Sequence, residues 1–184
     1  MERRIQESKY LTIAIISLVV LLIGILFIFR NVIFMNSYQS RADHFSIKYP
    51  GTWQKEENKG GAAVIFMSPL ESKLDTFREN VNVVVQDASG NRMSIEKYTE
   101  MAMRQVAAVF KENIELVEST GTLLAGKPAY KYVYIGRGEI EFKIMHVWTM
   151  SGDNAYQVTY TALLSQYDEY IGQVEKMIKS FRID

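Results

Sequence analysis

The chain has no cysteine, only three prolines and only two histidines among 184 residues. Without cysteine there is no thiol nucleophile and no lipid-modified cysteine to hold the protein on a membrane. It leaves the redox compartment open, because an oxidising compartment permits disulfides without requiring them. Two histidines and no Gly-x-Ser-x-Gly elbow offer no nucleophile–base–orienter set, so no catalytic residue is assigned and an envelope hydrolase is the least favoured reading. Scarce proline with 48% hydrophobic residues excludes a disordered chain. An excess of charge is also missing. Lys and Arg number 21 against 21 Asp and Glu, and residues 45–184 hold sixteen against eighteen. A near-neutral domain without a basic stripe is not a nucleic-acid binder. No internal repeat and no EF-hand loop occur, and Gly60-Gly61 lacks the Lys-Ser/Thr ending of a phosphate loop.

What the chain does have is a run of twenty residues without charge, Tyr10 to Phe29. At 1.5 Å per residue a helix of that length spans roughly 30 Å, the hydrocarbon thickness of a bilayer. Tyr10, Leu11, Leu22, Gly24 and Phe29 mark it as the expected contact with the lipid bilayer. It exceeds the 7 to 15 apolar residues of a cleaved signal, and no Ala-x-Ala site follows closely. An uncleaved single-pass anchor is therefore expected. Arg3, Arg4 and Lys9 precede it, and Arg30 and Arg41 follow. That bias places the N-terminus in the cytoplasm and the long C-terminal part outside. The expected organisation is a cytoplasmic tail 1–9, a transmembrane helix with its extension 10–34, a tether 35–43 and one extracytoplasmic domain 44–184.

Within the domain the hydrophobic periods alternate between two and 3.6. Residues 45–49 alternate as a half-buried strand ended by Pro50-Gly51. The charged stretch 55–59 follows, and Gly60-Gly61 turns the chain into a strand over 62–67. A loop with mixed charges leads to Val81, Val83 and Val85. Ser94 can cap a helix that carries Ile95, Tyr98, Ala102, Val106, Val109 and Phe110 and ends near Asn113. Four strands come next, over 116–124, 129–135, 139–150 and 155–162. Ser165 with Asp168 resembles a capping box for a last helix, whose stripe runs through Tyr167, Tyr170, Val174, Met177 and Phe181. Short turns make neighbouring strands antiparallel. The fold class is α+β, an antiparallel sheet with helices packed on its faces.

Eleven tyrosines occur. Tyr130, Tyr132, Tyr134, Tyr156 and Tyr160 fall on two strands, and if these are neighbours they form a Tyr-rich patch. With His146 and Trp148 they are the candidate ligand or partner surface, although the same spacing suits packing under a helix better. His146 lacks local partners for a metal, so no metal ligand is assigned. A weak calcium site from Asp75, Glu79 and neighbouring carbonyls is conceivable chemically, since calcium takes oxygen ligands. No cofactor is expected.

Together the segments Phe45-x-Ile47-x-Tyr49-Pro50-x-x-Trp53, Phe77-Arg78-Glu79-Asn80-Val81-Asn82-Val83, Gly126-Lys127-Pro128-Ala129-Tyr130, Ala155-Tyr156-x-Val158-Thr159-Tyr160-Thr161-Ala162 and Met177-Ile178-x-Ser180-Phe181 resemble the PsbP/DcrB-like family. The resemblance covers nearly all of residues 44–184. It implies an α/β/α sandwich and a non-catalytic binding or assembly module at a membrane, with a membrane or envelope protein as partner. The alternative is a small-ligand or cation (calcium) binding domain. No photosystem-docking residue maps onto this chain.

Overall fold

The structure is a computed structural model and describes residues 16–22, 34–72, 75–91, 93–110 and 113–184. Two compact units divide the chain, residues 1–35 and residues 36–184. In the first unit, residues 16–22 (α1) are helical and leave Ile16, Leu18, Val19, Val20, Leu21 and Leu22 exposed. Among the described residues no helix is long and apolar enough to cross a membrane. The expected span of 10–29 lies mostly outside them: Leu22 is described, whereas Tyr10, Leu11, Gly24 and Phe29 are not.

The second unit is a mixed α+β domain with ten strands, two α-helices and one short 3-10 turn of helix among the described residues. The strands are β1 (Met35–Ser40), β2 (Phe45–Pro50), β3 (Gln54–Lys59), β4 (Ala62–Met67), β5 (Asn80–Asp87), β6 (Ile114–Leu124), β7 (Lys127–Gly136), β8 (Phe142–Ser151), β9 (Asn154–Leu163) and β10 (Arg182–Ile183). The helices are α2 (Ile95–Phe110) and α3 (Tyr167–Ser180). Seven strands form one sheet in the order β3-β4-β5-β9-β8-β7-β6, and β1-β2-β10 form a second, smaller sheet. Every neighbouring pair in the large sheet is antiparallel.

Several expectations need correction. The presumed tether 35–43 is a strand and turn: β1 joins the small sheet, and Tyr38 is buried against Phe45 and Phe66 with ring centroids 5.9 Å away in each case. One aromatic residue in a polar segment was enough to draw it into the core. The charged stretch 55–59 is an edge strand, β3, paired to β4 through the hairpin at Gly60 and Gly61, whose φ values are 60° and 81°. Charges on an edge deter pairing with other chains, which is why an unhydrophobic strand belongs there. The first residues of the predicted strand 139–150 are a bend, with Ile140 exposed. Ser94 does accept from the Lys97 amide at 3.4 Å, as a helix cap should. Ser165 does not cap the last helix; its N-cap is Gln166, without a side-chain bond.

Strand alternation gives the large sheet two unlike faces. On one face Val81, Val83, Val158, Tyr156, Tyr160, Val64 and Phe66 are all buried. There α3 packs on β9 and on β2, and Phe181 at its C-cap meets Phe45 and Tyr156 at 5.4 and 6.2 Å. Tyr49 of the small sheet stacks on Phe66 at 4.6 Å. Each buried valine or phenylalanine contributes about 1.5–3 kcal/mol relative to exposure. The other face carries α2, which packs on β7. Its buried core is Tyr98, Ala102, Tyr132, Tyr134, Ile144, Trp148 and Ala155.

A half-open aromatic and polar face

The α2 face is organised in rows that run across the strands. Register pairs Tyr132 with His146, His146 with Thr159 and Thr159 with Asn82. The next row runs Tyr130, Trp148, Gln157, Val84, and the one after it Tyr134, Ile144, Thr161, Asn80. The β7–β8 half of these rows is therefore aromatic but for Ile144, and the β9–β5 half is polar but for Val84. Helix α2 lies on the aromatic half. Trp148 is fully buried and donates its indole N–H to Thr99 Oγ1 at 2.8 Å, which fixes the helix on the sheet. The polar half keeps Asn80, Asn82, Val84, Gln157 and Thr161 half-exposed.

His146 sits at the boundary. Its Nδ1 lies 2.8 Å from Thr159 Oγ1 and 3.1 Å from Gln157 Nε2, and its Nε2 lies 3.1 Å from Tyr134 Oη. An amide nitrogen only donates, so Nδ1 accepts and the proton belongs on Nε2, facing the tyrosine oxygen. Gln157 also donates to Thr159 at 3.0 Å. Burial lowers the histidine to a pKa of about 4, so the ring is neutral at physiological pH. Burial likewise pushes the Tyr134 hydroxyl up, with Tyr132 adding to the effect. Both ring nitrogens are thus occupied by uncharged partners, and the cluster positions side chains without moving protons near neutrality.

Of the residues expected to form one Tyr-rich patch, the structure unites Tyr130, Tyr132, Tyr134, His146 and Trp148. Tyr130 stacks on Trp148 at 5.8 Å, and Tyr134 stacks on His146 at 5.6 Å. Tyr156 and Tyr160 are elsewhere. Strand β8 separates β9 from β7, and parity turns both side chains to the α3 face, where Tyr160 donates to the Tyr167 carbonyl at 3.0 Å. Tyr132 and Tyr134 are buried under α2. Tyr130 alone of the three stays half-buried and lines an open groove of 630 Å³ between the start of α2 and the β6–β7 hairpin, with Ile95, Thr99, Leu123, Pro128 and Ala129 among its walls. Gln157, Thr159 and Thr99, which hold this face together, were not singled out from the sequence. Alternation with Tyr156 and Tyr160 gave the face of the first two, but their partnership needed the β8–β9 register.

Among the described residues no group of three His, Asp or Glu side chains is arranged to hold a metal ion. The PsbP family profile matches residues 34–183. No curated protein matches the chain in sequence. Among solved structures the fold is similar to cyanobacterial PsbP (CyanoP) from Synechocystis sp. PCC 6803, at TM-score 0.62 and 16% identity over 82% of this chain and 92% of that one. It is also similar to LpqN of Mycobacterium tuberculosis, which is involved in cell envelope biogenesis, at TM-score 0.59 and 10% identity over 81% and 91%. A third is the Saccharomyces cerevisiae Ran-binding protein Mog1p, at TM-score 0.58 and 9% identity over 82% and 95%. At these identities the likeness is one of fold.

Proposed function

Because the chain belongs to the PsbP family, we propose that it is a non-catalytic protein-binding or assembly module, held on the outer side of a membrane by its N-terminal apolar run. The observation that carries the reading is the open groove beside Tyr130. It has apolar walls, it is wide enough for a large side chain of a partner, and Leu123 on its rim is 65% exposed. Large apolar side chains left open around a concave site are the usual mark of a protein contact. The engaged, neutral His146 supports a scaffolding role for the chemistry nearby rather than acid–base work.

The anchor belongs to the same reading. The exposed apolar side chains of α1 suit lipid contact. Five residues lie between Phe29 and Met35, where β1 begins, which makes six Cα-to-Cα steps. Fully extended they reach only about 20 Å, so a partner would be met at or near the lipid surface. Mog1p and LpqN are described as Ran-binding and as involved in cell envelope biogenesis, which gives a binding or envelope role by analogy of fold. The test is affinity capture of the full chain from membranes solubilised in mild detergent, at native expression. A discrete membrane or envelope protein should co-purify and be lost with Leu123→Arg. Recovery of the chain alone would count against the proposal.

A further inference from the structure

The large sheet ends on two strands of opposite character, β3 and β6. Edge strand β3 carries Lys55, Glu56, Glu57 and Lys59 among its six residues, and such charges deter pairing with another chain. Edge strand β6 has no such guard. From Ser119 to Leu124 it holds no charge and no proline, and Ser119, Thr120, Gly121 and Leu123 are exposed. Its pairing with β7 shifts once, between Leu116 and Glu118. From Glu118 to Leu124 the register is unbroken, and Gly121 is the midpoint of that stretch. The outer side of an edge strand presents a row of backbone N–H and C=O groups that another extended strand can pair with. Alternation sorts the side chains: Ser119, Gly121 and Leu123 belong to the α2 face, and Glu118, Thr120 and Thr122 to the α3 face. On the α3 face a groove of 420 Å³ runs past Thr122, Lys131, Ile178 and Lys179. Glu118 pairs with Lys131 there at 2.6 Å, and Lys179 stands exposed.

We propose that β6 is a homotypic interface: a second copy of this chain adds its own β6 antiparallel to the first, about a twofold axis at Gly121, so that two seven-stranded sheets become one. A twofold contact uses the same strand of each copy. Centred on Gly121, the pairing uses the whole unbroken stretch. It sets Glu118 opposite Leu124, Ser119 opposite Leu123 and Thr120 opposite Thr122 of the second copy. No like charges meet, and the threonine pair is a favourable one. The missing side chain of Gly121 permits close approach of the two backbones at the axis. Charge favours a second copy over an unrelated strand. Glu118 of the second copy arrives on the α3 face next to Thr122, where Lys131 and Lys179 stand, and the symmetry makes that contact twice. A strand pair of this length belongs to the small class of interfaces, below about 1,200 Å², so the dimer is a transient one. The proposal does not rest on the partner reading of the groove beside Tyr130; it sets two copies of that groove side by side.

The chain has no cysteine, so single introduced thiols report its contacts cleanly. The purified full chain in neutral detergent is treated with a thiol crosslinker that spans about 5 Å, the separation of opposite Cβ atoms in an antiparallel pair. Covalent dimer is read on a denaturing gel. Gly121→Cys is the reporter at the axis, where an added Cβ meets nothing within 4 Å. Glu57→Cys, exposed on the guarded edge β3, is the control. The expected result is roughly fivefold more dimer from position 121 than from position 57, and a loss of that excess when Thr120→Lys is added to Gly121→Cys, because the new charge guards the edge. Equal yields from the two positions, no dimer from either, or an excess unmoved by Thr120→Lys would overturn the proposal. If circular dichroism finds Gly121→Cys unfolded, a mixture of Thr120→Cys and Thr122→Cys chains decides instead. More dimer from the mixture than from either variant alone supports the interface, and no gain overturns it. Capture of a different protein at the groove is read separately, so either reading can fail without the other.

Discussion

Val83 and Val84 are adjacent on β5 and face opposite ways. Val83 is fully buried beneath α3 and the small sheet, in a row with Val64 and Val158. Val84 is half-exposed in a row with Gln157, on the side that carries α2. The α3 face is closed by two elements, a helix and a sheet, and the buried Tyr160 hydroxyl there is satisfied by the Tyr167 carbonyl. The α2 face is closed by one helix, leaves amides and hydroxyls in reach of solvent, and keeps an apolar groove at its edge. One face holds the domain together; the other is available for contact. That division is why the proposed partner surface lies on the α2 side.

Matched substitutions on the two faces test this division, and the largest difference is expected on β5 itself. Val83→Asn should cost about 3 kcal/mol in denaturant unfolding, since it buries an amide with no partner and loses a packed side chain. Val84→Asn should cost about 1 kcal/mol or less, the scale of strand propensity alone. Equal costs would mean that the two faces are equally closed.

Of comparable size is the pH dependence of the α2 face. Unfolded histidine takes a proton near pH 6.5, whereas His146 resists until about 4. The unfolded state therefore binds more protons in this window, so stability is complete above pH 6.5 and falls as pH drops toward 4. The loss should approach about 3 kcal/mol, and His146→Gln should remove most of that slope in urea titrations at stepped pH.

Smaller still is a pair of tyrosines. Tyr160→Phe deletes a buried bond to a carbonyl on the α3 face and should cost about 1 kcal/mol. Tyr132→Phe on the α2 face, whose hydroxyl makes no hydrogen bond within the described residues, should stay within about 0.5 kcal/mol. Thermal unfolding of both variants under one buffer would rank them, and a reversed order would contradict the assignment of faces.

Much of this architecture was readable from period and turn chemistry. Gly60-Gly61, the valines of β5, the capping Ser94 and the stripe of α3 each announced themselves locally, because their patterns repeat within a few residues. What was lost depends on long-range pairing. Strand β1 has one buried aromatic and no alternation strong enough to name it. Strand β10 has two residues and exists only because Arg182 and Ile183 pair with Ser46 and Phe45. The candidate site was half legible for the same reason. The aromatic alternation on β7 gave Tyr130, Tyr132 and Tyr134 a common face, but only the order β9-β8-β7 reveals that Tyr156 and Tyr160 belong to the opposite one. Glu79 stood out in the sequence only as one carboxylate of a conceivable calcium site; that one of its oxygens is buried without a partner among the described residues depends on the fold.

The claim that the α2 side carries the contact is tested most directly by photo-crosslinking in intact membranes. A photoreactive residue at Glu96, exposed on the wall of the groove, is compared with one at Glu169, exposed on α3. The account predicts a discrete protein adduct from position 96 and none from position 169. Equal labelling from both, or labelling from 169 alone, would contradict it.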